Sequence, residues 1–318
     1  MRLSALVLTF ALSMPMFASS AIEEVRNAEI AAPVQEGFVA ADDGVKLYYR
    51  KIGRGPITLI VPLDNVLFRE FRQFADIATV ITYDMRNRGK SQRAKDAGTW
   101  TIQQDVRDLE AVRRHFKVER FVPAGYSYLG LMVILYTLEH PEHVTRVVQI
   151  NPGPFRHLPE EPAPEAAAAF AAAQKNVDPK ASPRDQCIAF WDVFKVTFVG
   201  DPKNAAKFDL SFCEHENEWG ENIMPHFKKL FESIDALTIT PEQLQKVKVP
   251  VLTIHGTKDR NAPYASGVDW AKTLPDARLL TIEGAAHASW LDEPVTVFGS
   301  IRHFLRGEWP LGATSPAR

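Results

Sequence analysis

Short β-branched segments that alternate with helical segments are the feature that most constrains how this chain can fold. Apolar segments of strand character cover residues 56–62, 78–84, 120–125, 144–150, 249–256 and 277–284. The segments between them carry apolar residues every three to four positions, as in Ile102, Val106 and Leu109, a spacing typical of helices. The sequence therefore predicts an α/β fold with a mostly parallel central sheet and helices on both faces.

A hairpin precedes this alternation, and a helical segment interrupts it. Residues 36–53 alternate apolar and polar side chains around Asp43-Gly44, which predicts a hairpin and an antiparallel edge of the sheet. Residues 155–245 contain Pro- and Ala-rich stretches followed by helical segments, with no clear β segment. We therefore divide the chain into a core of residues 36–154 and 246–308 and a helical insertion of residues 155–245.

The charge balance argues against nucleic-acid binding. The chain has 37 basic and 39 acidic side chains, a formal net charge of -2, and no basic segment that would bind a polyanion. Nucleic acid is therefore not expected as a partner.

The first 21 residues have the pattern of an export signal. Arg2 precedes an apolar segment at residues 3–17, and small residues at 18–21 suit cleavage by a signal peptidase. The alternative is a membrane anchor, but the apolar segment is shorter than the roughly 20 residues that span a bilayer. We predict a signal peptide over residues 1–21 and a periplasmic or secreted mature protein without a membrane span.

Cys187 and Cys213 are the two cysteines of the sequence, and both lie in the insertion. In an oxidising compartment two thiols commonly pair, so we favour a disulfide over two buried free thiols. Two cysteines alone do not predict a metal site.

Ser127 lies in the stretch "AGYSYLG", between a predicted strand and a predicted helix. A sharp strand-to-helix turn there would lift the hydroxyl above the sheet and point the Tyr128 N–H at a developing oxyanion. The alternative is an ordinary loop serine, because the second glycine comes one residue later than in the G-x-S-x-G pattern. A serine nucleophile also needs a base and an orienting carboxylate.

Asp259 and His287 follow Ser127 in an order that supplies both groups. Each comes just after a predicted strand, in "HGTKDRNAP" and "EGAAHAS". The carboxyl ends of parallel strands meet at one edge of a sheet, so the three side chains are expected on the same rim.

Four motifs together resemble the α/β-hydrolase superfamily over roughly residues 36–306. They are "YDMRNRGKS", "AGYSYLG", "HGTKDRNAP" and "GAAHASWLDEP". The resemblance implies an α/β-hydrolase fold whose insertion is a helical cap, with Ser127 as nucleophile, His287 as base and Asp259 as acid. It implies no metal and no cofactor. We call residues 155–245 the cap.

Where the superfamily commonly has His-Gly after the third strand, this chain has "VPLDNV". By the resemblance, a second oxyanion N–H should come from residues 63–65, with Asp64 or Asn65 favoured. A carboxylate at Asp64 would disfavour an adjacent oxyanion unless it points away.

The cap also concentrates acidic residues in "CEHENEWGEN". These residues form either a solvated face or a site in which Glu216 or Glu218 pairs with a substrate ammonium. The second interpretation suits an aminopeptidase of the proline-iminopeptidase type, which the chain resembles in cap size and layout. The resemblance thus implies a serine hydrolase that cleaves an ester or amide bond of a small-molecule or short-peptide substrate, with a carboxylesterase or lactonase as the alternative. A non-catalytic binding protein of the same fold is a further alternative.

Overall fold

The structure is a computed structural model that describes residues 33–156 and 164–316. The predicted signal peptide lies outside the described residues. In the described part of the chain, no helix is long and apolar enough to cross a membrane.

Eight strands form one sheet within the described ranges, in the order β1-β2-β4-β3-β5-β6-β7-β8. Strand β2 runs antiparallel to β1 and β4, and the pairings from β4 through β3 to β8 are parallel. The predicted mostly parallel α/β sheet with an antiparallel hairpin is thus confirmed. The strands are β1 (Gln35–Ala40), β2 (Lys46–Ile52), β3 (Ile57–Pro62), β4 (Ala78–Tyr83), β5 (Val122–Tyr126), β6 (Val147–Ile150), β7 (Val251–Gly256) and β8 (Ala277–Ile282).

Helices cover the sheet and build the cap. Every residue of β5, β6 and β7 is buried, as expected for strands with helices on both faces. The core helices are α1 (Asp64–Phe71), α2 (Ile102–His115), α3 (Tyr128–Glu139), α8 (Tyr264–Thr273), α9 (Ser289–Asp292) and α10 (Pro294–Leu305). The cap helices are α4 (Pro164–Asn176), α5 (Pro183–Phe194), α6 (Gly220–Asp235) and α7 (Pro241–Leu244), with short 3-10 turns between α5 and α6.

Several hydrogen bonds join the cap to the core at the carboxyl edge of the sheet. On one side, the Ala288 amide donates to the Phe198 carbonyl over 2.7 Å. On the other side, the Asn217 side-chain amide donates to the Gly89 carbonyl over 2.9 Å. The cap therefore lies directly above the edge at which strands β5, β7 and β8 end.

A disulfide joins Cys187, on α5, to Cys213, in a 3-10 turn before α6. The two residues are buried and pack with Phe212 in a small apolar cluster of the cap. The pairing expected from the sequence is present in the structure. It ties together two parts of the cap that are 26 residues apart in the chain.

Loss of this disulfide is expected to destabilise the protein. In the chain-entropy model, closing a loop of 26 residues stabilises the folded state by about 3.5 kcal/mol. We expect the C187S/C213S double variant to lose about that much free energy of unfolding, measured by urea denaturation. Dithiothreitol should bring wild type to the level of the variant and leave the variant unchanged. A wild type that unfolds at the same urea concentration with and without reductant would contradict this expectation.

Candidate active site

Ser127 lies at the turn between β5 and α3, directly at the carboxyl end of a buried central strand. Its backbone has φ 58° and ψ -132°, a conformation that residues with a Cβ rarely adopt. The Ser127 amide donates to the Ile150 carbonyl over 3.0 Å, and its carbonyl accepts from the Gly130 amide over 2.9 Å. These bonds hold the strained turn and direct the hydroxyl away from the sheet.

Ser127, His287 and Asp259 form a continuous chain of hydrogen bonds. The Ser127 Oγ lies 3.0 Å from His287 Nε2, and His287 Nδ1 lies 2.8 Å from Asp259 Oδ2. The imidazole is held between Tyr126 and Phe198, whose ring centroids lie 4.8 and 5.3 Å from its own. The structure therefore brings the three residues together with His287 between an alcohol and a carboxylate.

The Asp259 carboxylate is surrounded by donors. Its Oδ1 accepts the amides of Asn261 and Ala262, each over 2.9 Å, and its Oδ2 accepts Asn151 Nδ2 over 2.9 Å as well as His287 Nδ1. Burial alone raises the pKa of Asp259, but the His287 charge and the hydrogen bonds to histidine outweigh burial and hold the pKa below its usual range. Asp259 therefore stays ionised and can orient the imidazole and stabilise an imidazolium.

The sequence did not point to two further residues that contact the Asp259 carboxylate. Asn151 has φ 45° directly after β6, and its side chain bridges Asp259 Oδ2 and the Ala286 carbonyl next to His287. His255 Nε2 lies 3.3 Å from the same carboxylate oxygen and 3.1 Å from the Ala262 carbonyl. Their positions at carboxyl ends of strands were the available signal, since that edge carries the site.

Of residues 63–65, the structure places Leu63 beside Ser127 and Tyr128 on the wall of one cavity. Leu63 has φ 75° and ψ 51°, the left-handed conformation, and directly precedes α1. The Asn65 amide donates to Asp84 Oδ1 over 2.8 Å, so the favoured Asn65 N–H is already bonded. Of the three residues, Leu63 thus has the position that suits an oxyanion donor.

The Asp64 carboxylate points away from the cavity. It is 2% exposed, and it lies 2.7 Å from Arg50 Nη2 and is also hydrogen-bonded to Thr82. The favoured Asp64 lies outside the described cavity lining, like Asn65. Its negative charge is compensated by Arg50, so it does not act against an oxyanion at Ser127.

A cavity of about 770 Å³ separates the cap from Ser127. Its lining is mostly apolar and aromatic, and the Ser127 and His287 side chains open into it. The aromatic lining residues are Tyr126, Tyr128, Phe170, Phe190, Trp191, Phe194, Phe198, Phe208, Phe212, Phe227 and Phe231. Such a volume fits a small organic molecule with a bulky apolar group.

The structure separates the two carboxylates expected to bind an ammonium. Glu216 is exposed on the cap and lies outside the described lining of the cavity. Glu218 does line the cavity, but it is 5% exposed and its carboxylate accepts Arg88 Nε over 2.9 and 3.1 Å. The two residues therefore form no acidic pair at the cavity, because one faces solvent and the other is neutralised by Arg88.

The sequence matches the profile of the α/β-hydrolase fold over residues 65–294. The chain belongs to the α/β-hydrolase family. Similar proteins include a bifunctional esterase/perhydrolase of Acinetobacter calcoaceticus, 26% identical over 85% of this chain and 99% of that protein. A proline iminopeptidase of Pestalotiopsis fici is 22% identical over 83% and 97% of the two chains. An esterase of Exiguobacterium antarcticum shares the fold with a TM-score of 0.67 at 17% identity, over 86% and 100% of the chains.

This α/β hydrolase differs from the G-x-S-x-G spacing at the second glycine, and the structure gives the reason. A Cβ on Gly125 would lie 2.2 Å from the Leu129 carbonyl oxygen, so the first glycine is required by the close approach of α3. A Cβ on Gly130 would lie 2.7 Å from Pro152, whereas the Leu129 side chain is fully buried. Helix α3 thus makes its close contact with the chain after β6 at Gly130, one residue later.

Proposed function

We propose that this chain is an exported serine hydrolase that cleaves small esters with a bulky apolar acyl group. The observation that carries the proposal is the chain of hydrogen bonds that joins Ser127, His287 and Asp259 at the floor of an apolar cavity. In this mechanism Ser127 Oγ attacks the carbonyl carbon while His287 Nε2 accepts the hydroxyl proton. His287 then returns the proton to the leaving alcohol, and water releases the acyl group by the same steps in reverse.

The negative charge on the carbonyl oxygen in the tetrahedral intermediate needs two donors. We assign the Tyr128 N–H, at the start of α3, and the Leu63 N–H, directly before α1. Both residues line the cavity with Ser127, and both lie at the positive end of a helix. Preorganised donors of this kind lower the barrier to acyl transfer because they require no reorganisation as the charge develops.

Export is part of the proposal. Residues 1–21 have the pattern of a signal peptide, and the Cys187–Cys213 disulfide is the kind of bond that persists in an oxidising compartment. The mass of the protein recovered from the periplasm or the medium tests cleavage near Ala21.

The cavity predicts a preference among p-nitrophenyl esters. Burying each added methylene against the aromatic lining is worth about 0.8 kcal/mol. We therefore expect kcat/KM to rise at least about 10-fold from the acetate to the hexanoate. Trp191, which lines the cavity, should contribute to this ratio, so Trp191→Ala should lower it.

Trp309→Ala is the matched control, because Trp309 packs on Phe304 and lies outside the described lining. It should leave the hexanoate-to-acetate ratio unchanged. Equal kcat/KM for all chain lengths would exclude the cavity as the acyl site. Absence of ester turnover by the folded wild type would exclude the esterase proposal itself.

An aminopeptidase of the proline-iminopeptidase type is the second candidate. It is favoured by the similar proteins that carry that name. Glu218 lies on the cavity wall, but it would have to bind the ammonium while paired with Arg88. Aminoacyl p-nitroanilides distinguish it from an esterase. If Glu216→Ala and Glu218→Ala each leave aminoacyl-anilide turnover unchanged, neither carboxylate binds a substrate ammonium.

A further inference from the structure

The chain between β3 and α1 holds a strained residue at the active site. Leu63 adopts a left-handed conformation although it has a branched side chain, and such a conformation persists only where the surroundings hold it. No glycine supplies the turn, as it would in the His-Gly pattern. The Leu63 N–H belongs to the peptide that follows β3, and the contacts of residues 64 and 65 fix the chain on the other side of Leu63.

The core holds this segment at two points. Asp64 is fixed by Arg50 of β2 and Thr82 of β4, as described above. The Asn65 amide donates to Asp84 Oδ1, and Asp84 Oδ2 in turn accepts the Lys90 amide over 2.8 Å. These bonds fix the first turn of α1 to the chain that follows β4.

The third contact that fixes this segment comes from the cap. Asn65 Nδ2 donates to Glu218 Oε1 over 2.7 Å, across 153 residues of sequence. The same carboxylate accepts the Gly89 amide over 2.8 Å and the Arg88 guanidinium. Because a carboxylate only accepts hydrogen bonds, the amide nitrogen of Asn65 must face it. The Asn65 Oδ1 is buried with no hydrogen-bond partner in the described part of the chain.

The negative charge of Glu218 is compatible with its position next to Asn65 and near the proposed oxyanion site. Arg88 is buried next to it, so the pair adds no net negative charge beside the developing oxyanion. A carboxylate accepts a stronger hydrogen bond from the side-chain amide of Asn65 than a neutral acceptor would. The cap thus contributes a strong, charge-compensated contact to the segment that carries the proposed oxyanion donor.

We propose that Glu218 is a positioning residue, which holds Asn65 so that the Leu63 N–H faces the substrate carbonyl when the cap is seated. The inference rests on the proposed serine hydrolase function. Glu218 touches neither the substrate nor the reacting atoms in this role. Seating the cap and completing the oxyanion site are then one event, so substrate enclosure and transition-state stabilisation are coupled.

The test compares Asn65→Ala, Glu218→Ala and the double variant with the best p-nitrophenyl ester. A displaced oxyanion donor should lower kcat by about 10- to 100-fold, and KM should change less than about 3-fold. Since both residues act through one contact, the double variant should be no slower than the slower single variant. Asn65→Ala keeps the Arg88–Glu218 pair, so it tests the contact even where Glu218→Ala fails to fold.

A trifluoromethyl ketone with the same acyl group gives a direct readout of the oxyanion. Its adduct with Ser127 carries the oxyanion, whereas the corresponding secondary alcohol fills the cavity without one. The inhibition constant of the ketone should rise in Asn65→Ala by about the factor by which kcat falls. That of the alcohol should stay unchanged.

Asn217→Ala is the matched control for cap docking. It removes the hydrogen bonds from Asn217 Nδ2 to the Gly89 and Ser91 carbonyls, and no hydrogen bond joins Asn217 to Asn65 among the described residues. Its kcat should stay within about 3-fold of wild type. An equal loss in Asn217→Ala, effects that multiply in the double variant, or unchanged kcat in Asn65→Ala would each overturn the positioning role. A wild type that neither turns over esters nor reacts with a fluorophosphonate would overturn the hydrolase proposal instead.

Discussion

Replacing Ser127 by alanine is expected to lower kcat/KM for p-nitrophenyl hexanoate by about 10⁴-fold or more. The variant keeps the cavity and His287 but loses the oxygen that lies 3.0 Å from the imidazole, so no acyl-enzyme forms. It should also lose covalent labelling by a fluorophosphonate probe, which reacts with activated serines. Ester hydrolysis and gel fluorescence of the labelled protein measure the two effects.

Ser300→Ala is the control for this substitution. Ser300 is a buried serine of α10 that lies away from the cavity, and its replacement should leave both labelling and turnover at wild-type levels. Labelling that persists in Ser127→Ala would show that another residue is the nucleophile. A folded wild type that is not labelled at all would favour a non-catalytic binding protein of this fold.

The order of the elements and the candidate residues Ser127, Asp259 and His287 were accessible from the sequence, through local pattern and through motifs that resemble those of one family. β-branched segments and helical spacing predict the parallel sheet, and the sheet places the residues after its strands on one rim. Asp259 and His287 come shortly after β7 and β8, so the topology places them on the same rim as Ser127. No long-range side-chain contact had to be known.

The oxyanion segment and the cap carboxylates could not be assigned in this way. Whether Glu218 faces a substrate or an arginine depends on Arg88, which lies 130 residues earlier in the chain. The same holds for Asn65, whose partners are Asp84 in the core and Glu218 in the cap. The left-handed backbone of Leu63 has no local signal either, because a branched residue normally avoids it. Tertiary contacts, which local sequence does not encode, determine all three.

Replacing Asp259 by asparagine is expected to lower kcat/KM by about 10³- to 10⁴-fold while Ser127 stays in place. The two oxygens of Asp259 accept backbone amides on one side and His287 Nδ1 and Asn151 on the other. An asparagine must put its NH₂ group against one of these sets of donors. With that group facing His287, the imidazole carries its proton on Nε2 and cannot accept one from Ser127. The kinetics of the same hexanoate ester measure this loss.

The pH dependence of the melting temperature distinguishes this electrostatic effect from a folding defect. The folded-state pKa of Asp259 lies below its unfolded value of about 3.9. Its ionised form therefore stabilises the fold above about pH 4, and that contribution is lost as the pH falls through the folded-state pKa. The difference in melting temperature between wild type and Asp259→Asn should shrink from pH 7 to pH 3. Asp235 is an exposed residue of the cap, and Asp235→Asn should melt at the wild-type temperature at both pH values. A constant gap at all pH values would mean that the variant is destabilised by packing, and its low activity would then say nothing about the His287 tautomer.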